Sequence, residues 1–240
     1  QDQGTENLYF LPLTGPQSGT VQPITKGVHM LAVSDIAANG VAVGVRTSFH
    51  QPPDVVRFDV KKPQEIVQLT AVNDDILAGK KLGKVEEIWY TAPDGWKVQG
   101  WYITPPDFDP SRKYPLQLHI HGGPHGMYNV GFNYAWQEHA ANGYVVLYTN
   151  PRGSTGYGST FGNGIMRAYP GKDFDDLMAG VDTVVQKGFV DTQNLFVTGC
   201  SGGGVLTAWV VGHTDRFAAA SSNCTIVDWI SFMGTMDMSW

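Results

Sequence analysis

The chain is poor in the features that mark several common kinds of protein. It has two cysteines in 240 residues, Cys200 and Cys224, too few for a disulfide scaffold. They are read as two small buried thiols, with a bridge open to them if the strand ends they terminate are neighbours. It has no excess of positive charge: 16 Lys and Arg against 22 Asp and Glu give a net charge of -6. A phosphate backbone would repel such a chain, so no nucleic-acid partner is expected. No apolar run approaches the roughly 20 residues that span a bilayer, so no membrane partner is expected either. The longest, such as GYVVLY at 143–148, fits a buried strand. The start, Gln1-Asp2-Gln3, lacks the basic-then-apolar pattern of a signal peptide. Residues 6–10, ENLYF, resemble the start of a tag-removal site, but Leu11 follows where Gln belongs, and they are read as native strand. The chain reads as an excerpt of something longer.

What is present is a normal apolar complement, 42%, enough for one large domain or one domain and part of another. Two textures divide it. Residues 1–84 hold short β-like runs, ENLYFLPL, GVHMLAVS, GVAVGVRT and DVVRFDV, cut by Gly, Pro, Asn-Gly and Asp. Such spacing predicts antiparallel strands of a sandwich or of propeller blades. From residue 85 to 240 the pattern is different. VEEIWYTAPDGWKVQGWYITPP predicts a hairpin turning at Pro93-Asp94-Gly95. Strands at 116–121 and 144–150 flank a helix over 132–143 that Gly143 closes. Residues 151–164 predict a long loop. Over 173–187, Phe174, Leu177, Met178, Val181, Val184 and Val185 fall on one helical face. NLFVTG, GGVLTAWVVGH and FAAASS then read as strand, helix and strand. The alternation implies an α/β fold with a mostly parallel sheet and helices on both faces.

Between that strand and that helix lies Gly199-Cys200-Ser201-Gly202-Gly203, a G-x-S-x-G pattern. The pattern alone is common, but a strand-to-helix turn is where a nucleophile elbow must lie. It places Ser201 at a helix N-terminus, where developing negative charge is stabilised. An oxyanion hole would take one backbone N–H from Gly202 and another from the loop after an earlier strand, HGGPHG at 121–126, through Gly123. The bland alternative is a Gly/Pro turn that ends a strand.

HGGPHG (121–126), NPRGSTGYG (150–158), GKDFDDLMAGVD (171–182) and GCSGGGVLTAWVVGHTDRFAAA (199–220) together resemble the prolyl oligopeptidase family of serine peptidases, nearest its acylaminoacyl-peptidase and dipeptidyl-peptidase-like branch. The resemblance is strong over 85–240. Over 1–84 it is weaker, where the strands resemble the end of the family's β-propeller. It implies an α/β-hydrolase fold, here partial, and hydrolysis of short peptides through an acyl-enzyme. It implies no metal and no organic cofactor. Ser201 matches the family nucleophile, and Gly123 and Gly202 match the oxyanion donors. His121 sits where some relatives carry an oxyanion tyrosine. Ile226, Trp229 and Phe232 fall where the family lines its first specificity pocket, or are ordinary core. One departure is visible: Gly202 stands where many relatives carry an aromatic residue or His, which keeps the N–H and removes a pocket wall.

A serine hydroxyl needs a base, and in this fold the acid and then the histidine follow the serine. After Ser201 the one histidine is His213, twelve residues on. Along a helix that is roughly 18 Å, beyond hydrogen-bond reach. Asp215, Asp228 and Asp237 follow, with no histidine after them. The base and acid are therefore expected outside this chain, on a C-terminal continuation or another subunit, which joins a peptide substrate as the expected partner. A cluster of His119, His121 and His125 offers two other readings, a metal pair or an alternative base, beside the simplest one, that it shapes the loop. Arg152 is read as pairing with a carboxylate to brace the 151–164 loop. Asp173, Asp175 and Asp176 are read as helix-start and surface carboxylates, and Trp89, Trp96 and Trp101 as packing of the hairpin. Three functions stay open at this point: a serine peptidase, a carboxylesterase or lipase, and a catalytically incomplete chain acting as a binding or assembly piece.

Overall fold

The computed structural model describes residues 1–236. The chain divides into two compact units, Gln1–Lys81 with Asn129–Tyr134, and Leu82–Tyr128 with Ala135 onward. Among the described residues no helix is long and apolar enough to cross a membrane.

The first unit is antiparallel β. Strands β1 (Tyr9–Phe10) and β2 (Gln22–Pro23) form a short ribbon. Strands β3 (Met30–Ile36), β4 (Val41–Ser48), β5 (Gln51–Asp59) and β6 (Lys62–Gln68) form a four-stranded meander in chain order, the size of one propeller blade. The period of two sets its faces. Leu31, Ala42, Val56 and Phe58 are buried on one side, with Leu8, Val33, Val60 and Ile66 packed against them. Val43, Val45, Val55 and Val67 face outward and are exposed. The β3–β4 turn follows from Asn39-Gly40: Gly40 has a φ of +90, and Asn39 Oδ1 accepts the Val41 N–H at 3.1 Å. One helical turn, α1 (Asp74–Leu77), follows β6. Residues 129–134 belong here because Val130 N–H donates to Gly4 O at 3.0 Å and Phe132 N–H to Thr47 Oγ1 at 3.0 Å.

The second unit is an α/β sheet. Its strands are β7 (Val85–Thr91), β8 (Lys97–Ile103), β9 (Tyr114–Ile120), β10 (Val145–Asn150), β11 (Val190–Cys200) and β12 (Ala219–Asn223). Their spatial order is β12-β11-β9-β10-β8-β7. The β7–β8 hairpin turns where Pro93-Asp94-Gly95 predicts it, with Gly95 at φ +93 and Ala92 N–H bonded to Trp96 O at 2.8 Å. The β8–β10 contact is antiparallel, and β10–β9, β9–β11 and β11–β12 are parallel. The central strands β9 and β10 carry the core of this sheet: Leu116, Leu118, Val145 and Leu147 are fully buried, each worth about 1.5–3 kcal/mol of burial, whereas the last parallel strand, β12, is exposed along its length.

The helices are α2 (Tyr134–Ala141), α3 (Ser159–Gly162), α4 (Lys172–Val185), α5 (Gly202–His213) and α6 (Trp229–Thr235). The apolar stripe of α4 buries Leu177, Met178, Val181 and Val184, with Phe174 and Val185 partly buried beside them. The loop over 151–164 is not bare: it holds α3 and a 3-10 turn, Asn163–Ile165, around buried Phe161 and Ile165.

Candidate active site

Strand β9 leads through α2 to β10 on one side, and β11 leads through α5 to β12 on the other. The carboxyl ends of adjacent β9 and β11 therefore flank a point where the connections diverge, the place where open α/β sheets hold their ligands. The loop 121–126 and the turn at Ser201 leave from those two ends, with Ile120 paired to Gly199.

Ser201 is exposed and immediately precedes α5. Its backbone is at φ 58, ψ -121, a region that side chains rarely occupy and that marks a strained turn. The turn is held from three sides. Ser201 N–H donates to Asn223 O at 3.1 Å, and Ser201 O accepts from Val205 N–H at 2.9 Å. A Cβ on Gly203 would lie 2.1 Å from Ile120 O, so only glycine lets α5 start this close to β9. Tyr169 Oη donates to Gly202 O at 2.7 Å, a contact that nothing in the sequence signals, because Tyr169-Pro170 reads there as plain loop.

Gly123 and Gly202 are brought together. A Cβ on Gly202 would stand 2.9 Å from Gly123 N, C and O, and Gly123 has a φ of +130. His121 braces the loop behind them. Its Nδ1 lies 2.8 Å from Gly122 O and its Nε2 2.9 Å from Ser154 Oγ. A carbonyl only accepts, so Nδ1 carries a hydrogen; in the neutral ring Nε2 is an acceptor that shares the one Ser154 hydroxyl hydrogen with Pro151 O, 2.6 Å from Ser154 Oγ. Burial lowers the His121 pKa, opposed by the bond to Gly122, which favours that neutral form. Both nitrogens are engaged within the loop and its neighbour.

The other histidines are also held elsewhere. His125 Nδ1 is 3.0 Å from Gly153 O. His119 Nε2 is 3.3 Å from Gln117 Oε1, and its ring lies 5.7 Å from that of His139. Burial, then His139, lowers the His119 pKa to about 4. His213, at the far end of α5, has Nδ1 2.8 Å from Trp209 O and stacks on that indole at 3.9 Å. Among the described residues nothing hydrogen-bonds Ser201 Oγ, and no group of three His, Cys, Asp or Glu is placed to hold a metal ion. Asp215 and Asp228 are exposed, Asp228 capping α6 through Ile230 N–H at 3.0 Å. Asp237 lies outside the described residues.

Two sequence expectations are corrected. Cys200 and Cys224 are not buried thiols: they form a disulfide, both exposed, at the neighbouring ends of β11 and β12. Asp173 and Asp176 are not surface groups: both are buried. Asp176 receives Arg152 Nε at 2.9 Å and Arg152 N–H at 2.8 Å, while Asp94 takes the guanidinium at 2.7 and 2.8 Å. Arg152 thus braces the loop as expected, tying it to the hairpin and to α4, with Trp96 stacked 4.9 Å from the cation. Arg152 holds Asp94 well below the usual carboxylate range. Burial raises Asp176, and Arg152 opposes it. Asp173 Oδ1 accepts from Gly171 and Phe174 N–H, whereas Oδ2 is buried without a partner among the described residues. Burial pushes its pKa up to about 6. Of the three tryptophans, Trp101 is buried and stacks on Tyr148, Trp96 packs on Phe161, and Trp89 is exposed.

Ile226 and Trp229 border a cavity of about 360 Å³ along α5 with Pro170, Val205, Trp209 and His213. Phe232 lies 6.1 Å from Trp229, ring to ring. Trp229 and Phe232 are exposed, 48% and 36%, rather than core.

The order of strands and the strained serine before α5 define an α/β-hydrolase fold. Residues 130–240 match the prolyl oligopeptidase family. It is 37% identical to the uncharacterized peptidase YuxL of Bacillus subtilis over the whole of this chain and 36% of that one. It is 30% identical to dipeptidyl-peptidase 5 of Porphyromonas gingivalis over 98% of this chain and 34% of that one. Among solved structures it resembles the acylaminoacyl peptidase of Pyrococcus horikoshii, with 29% identity and a TM-score of 0.85 over 98% of this chain and 36% of that one. The chain thus spans about a third of the length of the relatives it matches.

Proposed function

We propose that this chain carries the nucleophile and oxyanion half of a serine peptidase acting on short peptides or on acylated or dipeptidyl N-termini. The observation that carries the reading is the Ser201 turn: a positive-φ serine between β11 and α5, with Gly202 against the Gly123 peptide. Ser201 Oγ attacks the substrate carbonyl, and the C–O bond forms as the carbonyl electrons move to oxygen. The N–H groups of Gly123 and Gly202 bond that oxyanion, a type of contact worth about 10²–10³ in rate per donor. The amine leaves with the proton that the base took from Ser201, and water then releases the acyl group. His121 takes no proton in this scheme; it holds the Gly122 carbonyl and so fixes the loop that presents Gly123. Ile226, Trp229 and Phe232 would offer apolar surface to a substrate side chain.

The base and its acid come, in this reading, from outside the 240 residues. The relatives' names, dipeptidyl-peptidase and acylaminoacyl peptidase, support a peptide substrate over a simple ester. The test is fluorophosphonate labelling with intact-mass readout, on this chain alone and on the longer protein that contains it. The expected result is a single adduct on the longer protein, lost in Ser201→Ala, and little or none on this chain alone. Aminoacyl anilide and simple ester substrates assayed in parallel separate a peptidase from an esterase. A longer protein that labels equally well in Ser201→Ala would sink the nucleophile assignment.

A further inference from the structure

The Cys200–Cys224 bridge lies beside the one residue whose backbone geometry matters most. Cys200 directly precedes Ser201, and Cys224 directly follows Asn223, whose carbonyl accepts the Ser201 N–H at 3.1 Å. The last rung of the β11–β12 ladder pairs Cys200 with Asn223, so the bridge sits just past the end of regular pairing. Ser201 and Cys224 are both non-glycine residues at positive φ, 58 and 42. Such residues persist only where the surroundings over-determine them. The segment after β12 also abuts the first turn of α5: Ser222 Oγ donates to Gly204 O at 2.8 Å, and a Cβ on Gly204 would lie 2.3 Å from Asn223 O.

We propose that the Cys200–Cys224 disulfide is the positioning clamp of the Ser201 turn, and that a dithiol which reduces it loosens that turn. With the bridge cut, Cys224 can leave its positive-φ conformation and carry the Asn223 carbonyl away from the Ser201 N–H. Both cysteines are exposed, so a reductant reaches them. One thiolate of the dithiol attacks one sulfur, the bond between the cysteines breaks, and the displaced thiolate takes a proton. The dithiol's second thiolate then displaces the remaining cysteine. Two electrons and two protons end on the chain as two thiols, and the reductant ends as its own disulfide. The consequence for catalysis rests on Ser201 being the nucleophile; the consequence for the geometry of the turn does not.

The experiment is amide hydrogen exchange on the chain with and without dithiothreitol, after non-reducing peptide mapping of the bridge. The two cysteines are the only ones in the chain, so the reductant has no other sulfur–sulfur target. Reduction should speed exchange at Ser201–Val205 and Asn223–Ile226 by about tenfold or more and leave the β7–β8 hairpin unchanged. The variant Cys224→Ala should show the fast rates without reductant; should it fail to fold, the reduced wild type still decides. Equal rates in the oxidised and fully reduced chain overturn the proposal, as do two alkylatable thiols in the unreduced chain. Fluorophosphonate labelling of the longer protein, followed in parallel, should fall on reduction. Absence of labelling in both states counts against the nucleophile reading alone, because the exchange rates judge the clamp separately.

Discussion

At the scale of single residues, the site is built on strain and on burial, and each can be measured. Ser201 holds a positive φ that glycine adopts freely. Ser201→Gly should therefore raise stability in denaturant by about 1 kcal/mol while removing the nucleophile. An unchanged or lower midpoint would mean the turn is not strained. Asp173 behaves oppositely to a paired carboxylate. Its folded pKa, about 6 against an ordinary 3.8, means that the folded chain binds the proton more tightly than the unfolded one. Stability from this group is present below pH 4 and is lost as pH rises through about 6, by up to roughly 3 kcal/mol. Asp173→Asn should flatten that fall, so urea unfolding at pH 4.5 and 7 should show the variant gaining on wild type at the higher pH. A constant difference across that window would contradict the assignment. Sequence alone could not reveal this residue. Asp173 and Asp176 stand in the first turns of an amphipathic helix, where carboxylates usually face water, and only the position of the Gly171 turn and of Arg152 shows that they are enclosed.

At the scale of elements, Arg152 is the tie that joins the β7–β8 turn, the loop after β10 and helix α4, through Asp94 and Asp176. Removing one member of a buried pair leaves the other charge uncompensated. Arg152→Ala should cost about 3–5 kcal/mol in unfolding free energy, more than a surface pair would. A loss below about 1 kcal/mol would show Asp176 to be protonated or hydrated in the native chain. The elements themselves were largely readable. The three- and four-residue spacing in 173–187 locates α4 to within two residues at either end, and Pro93-Asp94-Gly95 locates the hairpin turn. Strand β6 has no such signal: its KPQEIVQ carries one proline and two charges and pairs along an edge, where polar residues and proline are tolerated. The helical turns inside 151–164 are hidden by five glycines and depend on Phe161 and Ile165 finding the core. The disulfide was legible as a possibility, because both cysteines end predicted strands, but only the parallel register of β11 and β12 makes those ends neighbours.

At the scale of the whole molecule, the two units each carry a core; the chain first passes between them through Ala78–Gly83, with Gly79, Lys80 and Lys81 exposed, and crosses again on either side of Asn129–Tyr134. Exposed connections are nicked before packed strands. Brief trypsin treatment should cut first after Lys80 or Lys81, seen as a new N-terminus at Lys81 or Leu82; a first cut within β7–β12 would contradict the division. The candidate nucleophile and oxyanion loop were legible because they obey local rules, glycines at a close approach and a serine between strand and helix. What the sequence could not place was their mutual position, which follows from β9 lying between β10 and β11.

That strand order has a consequence for synthesis. Tyr114 of β9 pairs with Val190 of β11, so one side of the central strand waits for a partner made about 75 residues later. At ribosomal rates of about 5–20 residues per second, the wait is roughly 4–15 s. During it β10 can zip onto β9, but the opposite row of N–H and C=O groups stays bare. Nascent chains paused between α4 and β11 would present an apolar strand edge to one another, and it is there, rather than at the finished protein, that a holding chaperone would act.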